Sequence, residues 1–319
     1  MLPKLSKCIS FTASRDWLYR HLFAAAGLRS VATDLGEGTI VHCWVPKMHK
    51  PCKPSLVLIH GFGANAMWQY GEHIRLFMGH FNVYVPDLVF FGESFTLRAE
   101  RSEYFQAECM VKMMEAHGVH KMSLVGISYG GFVGYRVAAH FPDVVEKIVL
   151  CCAGVCLEEV DMENGLFRVS NLDEASSILL PQTPDKLREL MKLSFVRPAR
   201  GVPTWFLQDF IQVMCTDYIE QKRELLEAIL KGRHLSDLPK IQQNSNPPSI
   251  PPSLHSLPPT HSNFMGRARS DIPSGVRTQI KKAYRGKCSN GSHQECRACS
   301  EPRKGQRVWQ ALESIPYRF

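Results

Sequence analysis

Short apolar runs and segments of helical period alternate along the first half of this chain. Residues 31–35 and 39–45 flank a Gly36-Glu37-Gly38 turn, a pattern that predicts a β-hairpin. Residues 55–60 form a short, wholly apolar run ending in a histidine, and residues 81–86 form another ended by proline; both predict strands buried on two faces. Residues 122–125 and 145–152 predict two further strands. Between them, residues 65–78, 102–117 and 129–140 carry helical spacing. In the second of these segments Phe105, Cys109, Met113 and Met114 mark the inward stripe. Strands alternating with helices predict an α/β protein, with a mostly parallel sheet covered by helices on both faces.

The texture changes after Gly154. Residues 174–180, 185–194, 203–215 and 217–232 all read as helices, punctuated by Pro181, Pro198 and Pro203. Asp185 and Asp217 suit helix N-caps, and Pro203 suits a first helical position. Four helices following a parallel sheet predict a helical lid over residues 155–240. Trp205, Phe206, Phe210 and Met214 line a lid pocket on one reading and form ordinary core on the other. From residue 241 periodicity stops: residues 246–260 are dense in proline and serine, a basic stretch follows, and disorder is predicted there. At the other end residues 1–30 predict a helical segment. Within it Trp17, Leu22 and Phe23 stand among Arg15, Arg20 and Arg29, which suits packing on the body or weak contact with a membrane surface.

Charge changes the picture only in the tail. The chain carries a formal net charge of +8. Residues 241–319 hold 12 Lys and Arg against 4 Asp and Glu, which is already +8, so the body is neutral. A basic nucleic-acid-binding face is therefore excluded for the body. No run of eighteen apolar residues occurs, and the start lacks the apolar core of a secretory signal. An odd count of 11 cysteines fits a reducing, cytoplasmic setting better than a disulfide framework.

Candidate chemistry centres on Gly126-Ile127-Ser128-Tyr129-Gly130, a G-x-S-x-G placed between a predicted strand and a predicted helix. Such a turn strains the serine backbone, needs bare glycines on both sides, and lifts the hydroxyl clear of the sheet at a helix N-terminus. Upstream, His60-Gly61-Phe62-Gly63 ends a central strand in H-G-x-G, a turn whose amides can approach a substrate oxygen. The two motifs together, over residues 31–240, resemble the α/β-hydrolase superfamily, and the pattern including residues 39–46 looks most like plant esterases and monoacylglycerol-lipase-like enzymes. The resemblance implies a serine hydrolase cleaving carboxylic esters of small or lipid-like acyl groups, with no cofactor or metal. Ser128 would be the nucleophile, and the amides of Phe62 and Tyr129 the oxyanion hole. His60 would be structural. Asp87, Gly92 and Ser94 match a family turn that departs from the usual pattern at Val89 and Phe90. A serine at position 128 argues against the epoxide-hydrolase and dehalogenase branches, which place aspartate there.

That family order requires an acid and a histidine after two further strands, and neither is recognisable beyond residue 240. Glu158, Glu159 and Asp161 follow the last predicted strand, and His234, His255, His261 and His293 are the later histidines; none stands in a strand-end context. Shifted by one base, codons chosen for residues 265–273 read W-G-E-H-D-Q-I-F, and those for residues 294–304 read K-N-A-G-H-A-V-N-L-E. These resemble the acid-bearing and histidine-bearing segments. The tail thus reads as an out-of-frame product, with residues 244–259 as retained intron and the lost codons overlapping Arg269 and Ala298. A rival reading makes Cys288, His293, Cys296 and Cys299 a zinc knuckle. Two function classes follow: a serine hydrolase cleaving carboxylic esters, inactive in this form for lack of the triad acid and histidine, or a non-catalytic relative, either a defective isoform or a ligand-binding module. Loss of the strands beyond residues 145–152 would leave that strand as an apolar edge prone to aggregation.

Overall fold

A computed structural model describes residues 10–63, 65–156, 158, 172–195, 198–199, 201–230 and 235–241. Among the described residues seven strands, β1 (Leu28–Asp34), β2 (Thr39–Pro46), β3 (Ser55–Ile59), β4 (Asn82–Pro86), β5 (Phe95–Thr96), β6 (Met122–Ile127) and β7 (Val145–Cys151), build one sheet in the order β1-β2-β4-β3-β6-β7, with β5 paired to β2. The strands β4, β3, β6 and β7 run parallel, and β1, β2 and β5 join antiparallel. The hairpin predicted around Gly36 and Gly38 is β1–β2, and both glycines take positive φ there.

Alternation along the buried strands feeds two cores. On one face Val57 and Ile59 of β3 pack with Met110, Met113 and Met114 of α4 (Glu103–Ala116) and Val133 and Val137 of α5 (Tyr129–His140). On the other face Leu56 and Leu58 pack with Met67 and Tyr70 of α2 (Ala66–Tyr70), Ile74 and Phe77 of α3 (Ile74–Met78), and Tyr19 and Phe23 of α1 (Phe11–Ala25). Side chains of period two thus satisfy both layers from the same strand. The single helix expected over residues 65–78 is two, broken at Gly71, where a Cβ would lie 2.5 Å from the Tyr19 ring. The first helix comes that close as it seats Tyr19 and Phe23, and the bare glycine leaves room for it.

Among the described residues four more α-helices follow β7: α6 (Leu172–Leu179), α7 (Pro184–Ser194), α8 (Thr204–Met214) and α9 (Ile219–Leu230). The cap of α7 is Thr183, whose hydroxyl accepts from Lys186 N–H, so Asp185 lies inside the first turn rather than at the cap. Pro203 is likewise the cap of α8 and not its first residue, and α9 begins two residues after Asp217. Leu207 and Ile211 of α8 pack with Leu187 of α7, whereas Leu225 and Ile229 of α9 join the core of the sheet face that carries α4 and α5. Trp205 is exposed; Phe206, Phe210 and Met214 are partly buried against that small helical core.

Helix α1 packs on the body. Phe23 is fully buried 5.2 Å edge-on from Trp44, and Tyr19 meets Trp68 edge-on at 5.5 Å. It also binds α8: Thr12 N–H donates to Asp209 Oδ2 (2.8 Å), and the rings of Phe11 and Phe206 lie 5.1 Å apart. Phe11, Trp17 and Leu18 remain exposed. No helix among the described residues is long and apolar enough to cross a membrane. On its outer side β7 has no strand among the described residues, and its apolar run Ile148–Cys151 is only half-buried. The proposed tail disorder, the out-of-frame segments and the Cys288–Cys299 cluster lie outside the described residues, as do Glu159, Asp161 and His234.

Replacing Phe23 by alanine removes a side chain with no exposed surface. We expect a loss of about 3–5 kcal/mol, read as a lower urea midpoint with an unchanged slope.

Candidate active site

Strand β6 ends at Ile127 and α5 begins at Tyr129, so one residue must turn the chain. That residue is Ser128, with φ 52° and ψ −119°. Its own N–H donates to Cys151 O (2.9 Å), extending the β6–β7 ladder by one rung, and its carbonyl accepts from Gly131 N–H (2.8 Å). A non-glycine residue in this region is strained, and the surroundings must hold it there. They do so by proximity: a Cβ on Gly126 would lie 2.3 Å from Gly130 O, and one on Gly130 would lie 2.4 Å from Ile59 O and 2.5 Å from His60 O. Both obstacles are backbone, so neither can swing aside.

The loop after β3 comes equally close. A Cβ on Gly61 would stand 3.2 Å from Ser128 Cβ, which places the Gly61–Phe62 turn directly beside the serine. That turn is pinned from several sides. Gly61 N–H donates to Gln69 Oε1 (3.3 Å), and Tyr70 O–H donates to Ile59 O (2.8 Å). His60 is buried, and its Nε2 accepts Leu88 N–H at 2.9 Å. A ring nitrogen that accepts an amide proton carries none, so Nδ1 holds the proton and donates to Gly61 O (2.7 Å). Burial lowers the His60 pKa, opposed by the Asp87 carboxylate, so the ring is neutral and fixed in one tautomer. His60 therefore ties two loops together, as its motif implied.

Phe62, Phe91 and Tyr129 form an edge-to-face aromatic wall above the turn, with ring centroids 5.0 Å (Phe62–Phe91) and 5.3 Å (Phe62–Tyr129) apart. Behind it the buried ammonium of Lys222 from α9 lies 5.1 Å from the Phe91 ring and donates to Asp217 O (2.8 Å). Burial lowers its pKa. The Tyr129 amide opens a helix, where no intrahelical acceptor exists for it. The structure thus brings Ser128, the Gly61–Phe62 turn and the N-terminus of α5 together.

Asp87 is a different kind of group. Its carboxylate accepts from Ala66 N–H (2.8 Å) and meets His42 Nδ1 (2.8 Å), while Ser94 O–H donates to its backbone carbonyl. Gly92, at φ 54°, passes so close that a Cβ would overlap the carboxylate. These bonds make it the hub of the turn, in line with the turn reading. Among the described residues no imidazole or carboxylate is hydrogen-bonded to Ser128 Oγ.

Sequence reasoning missed three side chains that shape this region: His42, Gln69 and Gln106, whose amide clamps both the N–H and the carbonyl of Val89. Only His42 left a signal, a histidine in an otherwise apolar strand. The glutamines sit on helices and bond to neighbouring loops, which no residue pattern marks.

A family model described as alpha/beta hydrolase fold matches residues 54–226. An uncharacterised Mycobacterium tuberculosis protein is 31% identical over 146 residues, 46% of this chain and 39% of that one. Monoacylglycerol lipase of Bos taurus is 26% identical over 215 residues, 63% of this chain and 60% of the relative. The chain thus spans two fifths to three fifths of the length of these relatives. Among solved structures, a 2-hydroxy-6-oxo-6-phenylhexa-2,4-dienoate hydrolase from Rhodococcus superposes with a TM-score of 0.51 at 19% identity, over 67% of this chain and 75% of that one.

Two measurements check this geometry. Gly130→Ala places a methyl group against backbone carbonyls, and we expect it to exceed the ~1–3 kcal/mol usual for overpacking, read by chemical denaturation. A histidine held neutral by burial contributes stability that is intact above its unfolded pKa of about 6.5 and is lost as pH falls toward the lower folded value. His60→Gln keeps an acceptor for Leu88 N–H, so its stability should fall less steeply than the parent's between neutral and acidic pH. An unchanged slope would remove His60 from the linkage.

Proposed function

We propose that this chain, which belongs to the alpha/beta hydrolase family, carries the nucleophile and oxyanion apparatus of a serine hydrolase for carboxylic esters. Ser128 is its nucleophile, and the amides of Phe62 and Tyr129 receive the negative charge that develops on the substrate carbonyl oxygen. The observation that carries this reading is the strained turn at Ser128, wedged between Gly126 and Gly130 with the Gly61 loop against it. Strain of this kind persists only where surrounding structure enforces it, and a serine held there beside the Gly61–Phe62 turn and the start of α5 suits attack on a carbonyl whose oxygen the two amides would receive. The partly buried Phe62 ring, backed by the buried Phe91 and Tyr129, suits an acyl group of small or lipid-like character, and the bovine relative's name as a monoacylglycerol lipase supports the lipid end of that range.

Attack by Ser128 transfers its proton to a base, and none among the described residues stands at its Oγ. A serine hydroxyl without a base is a poor nucleophile. Loss of that base costs on the order of a million-fold in turnover in serine hydrolases, the remainder coming from the oxyanion hole and binding. In the chain as written we therefore place the oxyanion hole intact and the turnover low, with the acid and base of the family pattern lost to an out-of-frame tail. The second reading, a ligand-binding relative that performs no chemistry, draws on the same aromatic wall.

Free imidazole in solution separates these readings, because it can act as the missing base. With a p-nitrophenyl ester we expect imidazole-dependent turnover above that of Ser128→Ala. Without imidazole, a fluorophosphonate probe should leave the tryptic peptide 122–136, which contains Ser128, unmodified. Rapid unaided labelling of that peptide would show that a base is supplied after all, and no imidazole effect would favour the ligand-binding reading.

A further inference from the structure

Among the described residues a complete serine–histidine–aspartate arrangement joins the β1–β2 hairpin to the loop after β4, away from the strained turn. Ser30 Oγ is 2.8 Å from His42 Nε2, and His42 Nδ1 is 2.8 Å from Asp87 Oδ2. His42 and Asp87 are buried, with 1% and 4% of their surface exposed, whereas Ser30 is exposed. The proton assignment follows from the neighbours. Asp87 already accepts Ala66 N–H (2.8 Å) and so presents an acceptor to His42. Nδ1 donates to it, Nε2 is left with its lone pair, and the Ser30 hydroxyl donates to that lone pair. An exposed hydroxyl, an oriented imidazole and a buried carboxylate behind it are the three parts that activate a serine, whatever their order in the chain.

The strand supplies an amide as well. Lys47 N–H donates to Gly27 O (2.8 Å) and Leu35 N–H to Thr39 O (2.9 Å), which fixes the parity of the β1–β2 ladder. The odd-numbered residues of β1 turn their amides toward β2. Ser30 and Ala32 turn theirs outward, to the side of β1 on which no strand is paired among the described residues. The serine's own N–H is thus available to an oxyanion formed on Ser30, as one donor rather than two.

We infer that Ser30, with His42 as base and Asp87 as its positioning partner, is a second nucleophilic hydroxyl that accepts acyl groups from activated carboxylic esters. Ser30 Oγ attacks the acyl carbon while its proton passes to His42 Nε2. The tetrahedral adduct then collapses, the bond to the leaving alkoxide breaks, and that oxygen takes the proton back from His42. The product is an O-acyl serine, and water can repeat the same two steps to release the acid. No further reactant is required. With one oxyanion donor and an open surface instead of a pocket, the site suits small esters with good leaving groups, such as aryl esters.

Ser30 and His42 fall in a single tryptic peptide, residues 30–47, separate from peptide 122–136 and from peptide 8–15. Ser14, in the last of these, is exposed and its hydroxyl donates only to Ser10 O, so it reports an unactivated hydroxyl in the same digest. The full-length Ser128→Ala protein is treated with a fluorophosphonate probe, digested and mapped by mass. We expect an adduct on Ser30, formed on the order of 10²–10⁴ times faster than on Ser14, the range that a positioned base contributes. Ser30→Ala, a change at an exposed position, should abolish the adduct on peptide 30–47, and His42→Gln should reduce its rate to that of Ser14. Equal labelling of peptides 30–47 and 8–15 in the parent protein would overturn the inference, and so would undiminished labelling in a folded His42→Gln variant. This result is independent of whether Ser128 reacts, because the two serines are read on different peptides.

Discussion

There is no room for one more carbon atom at Gly126 or at Gly130, and the candidate site depends on both. Gly126 faces the Gly130 carbonyl at a distance where a Cβ would lie 2.3 Å away, and Gly130 faces the Ile59 and His60 carbonyls just as closely. The first contact closes the turn between β6 and α5, and the second presses the start of α5 onto the end of β3. Together they determine where Ser128 stands and how near the Gly61–Phe62 amides come to it. Around this junction lie the His60 bridge to Leu88, the aromatic wall, and α9 packed behind it.

Asp87 plays the corresponding part on the other side of the sheet's carboxyl end. Its carboxylate gathers His42 and Ala66 N–H, its carbonyl gathers Ser94, and the close pass of Gly92 wraps the loop around it. Burying a carboxylate is costly unless hydrogen bonds replace the lost water, and here they do. The same bonds that make Asp87 a structural hub also orient His42 toward Ser30. One buried charge thus serves the loop beside the oxyanion turn and the hairpin at the sheet's far edge.

Much of the fold was legible because local signals carried it. The apolar runs became strands within a residue or two, the Gly36–Gly38 turn became the hairpin, and the spacing of Phe105, Cys109, Met113 and Met114 became α4. The G-x-S-x-G and H-G-x-G motifs were legible for the same reason: their glycines are required by contacts that those short segments make with one another. The close approach at Gly71 was not legible, because it is made by Tyr19, some fifty positions earlier in the chain. Nor were the true caps, since Thr183 and Asp185 both suit a helix start and only the backbone decides between them. The Ser30–His42–Asp87 line was least visible of all. It joins three elements, and no spacing in the sequence marks it.

The first helix reaches two parts of the molecule at once. Phe23 and Tyr19 root it beside Trp44 and Trp68, while Phe11 and the Thr12 amide grip α8. A strut fastened at both ends resists shear. Tilting α8 away from the sheet must therefore drag residues 11–25 with it or rupture that seam, so the amino-terminal helix stiffens the helical layer it touches.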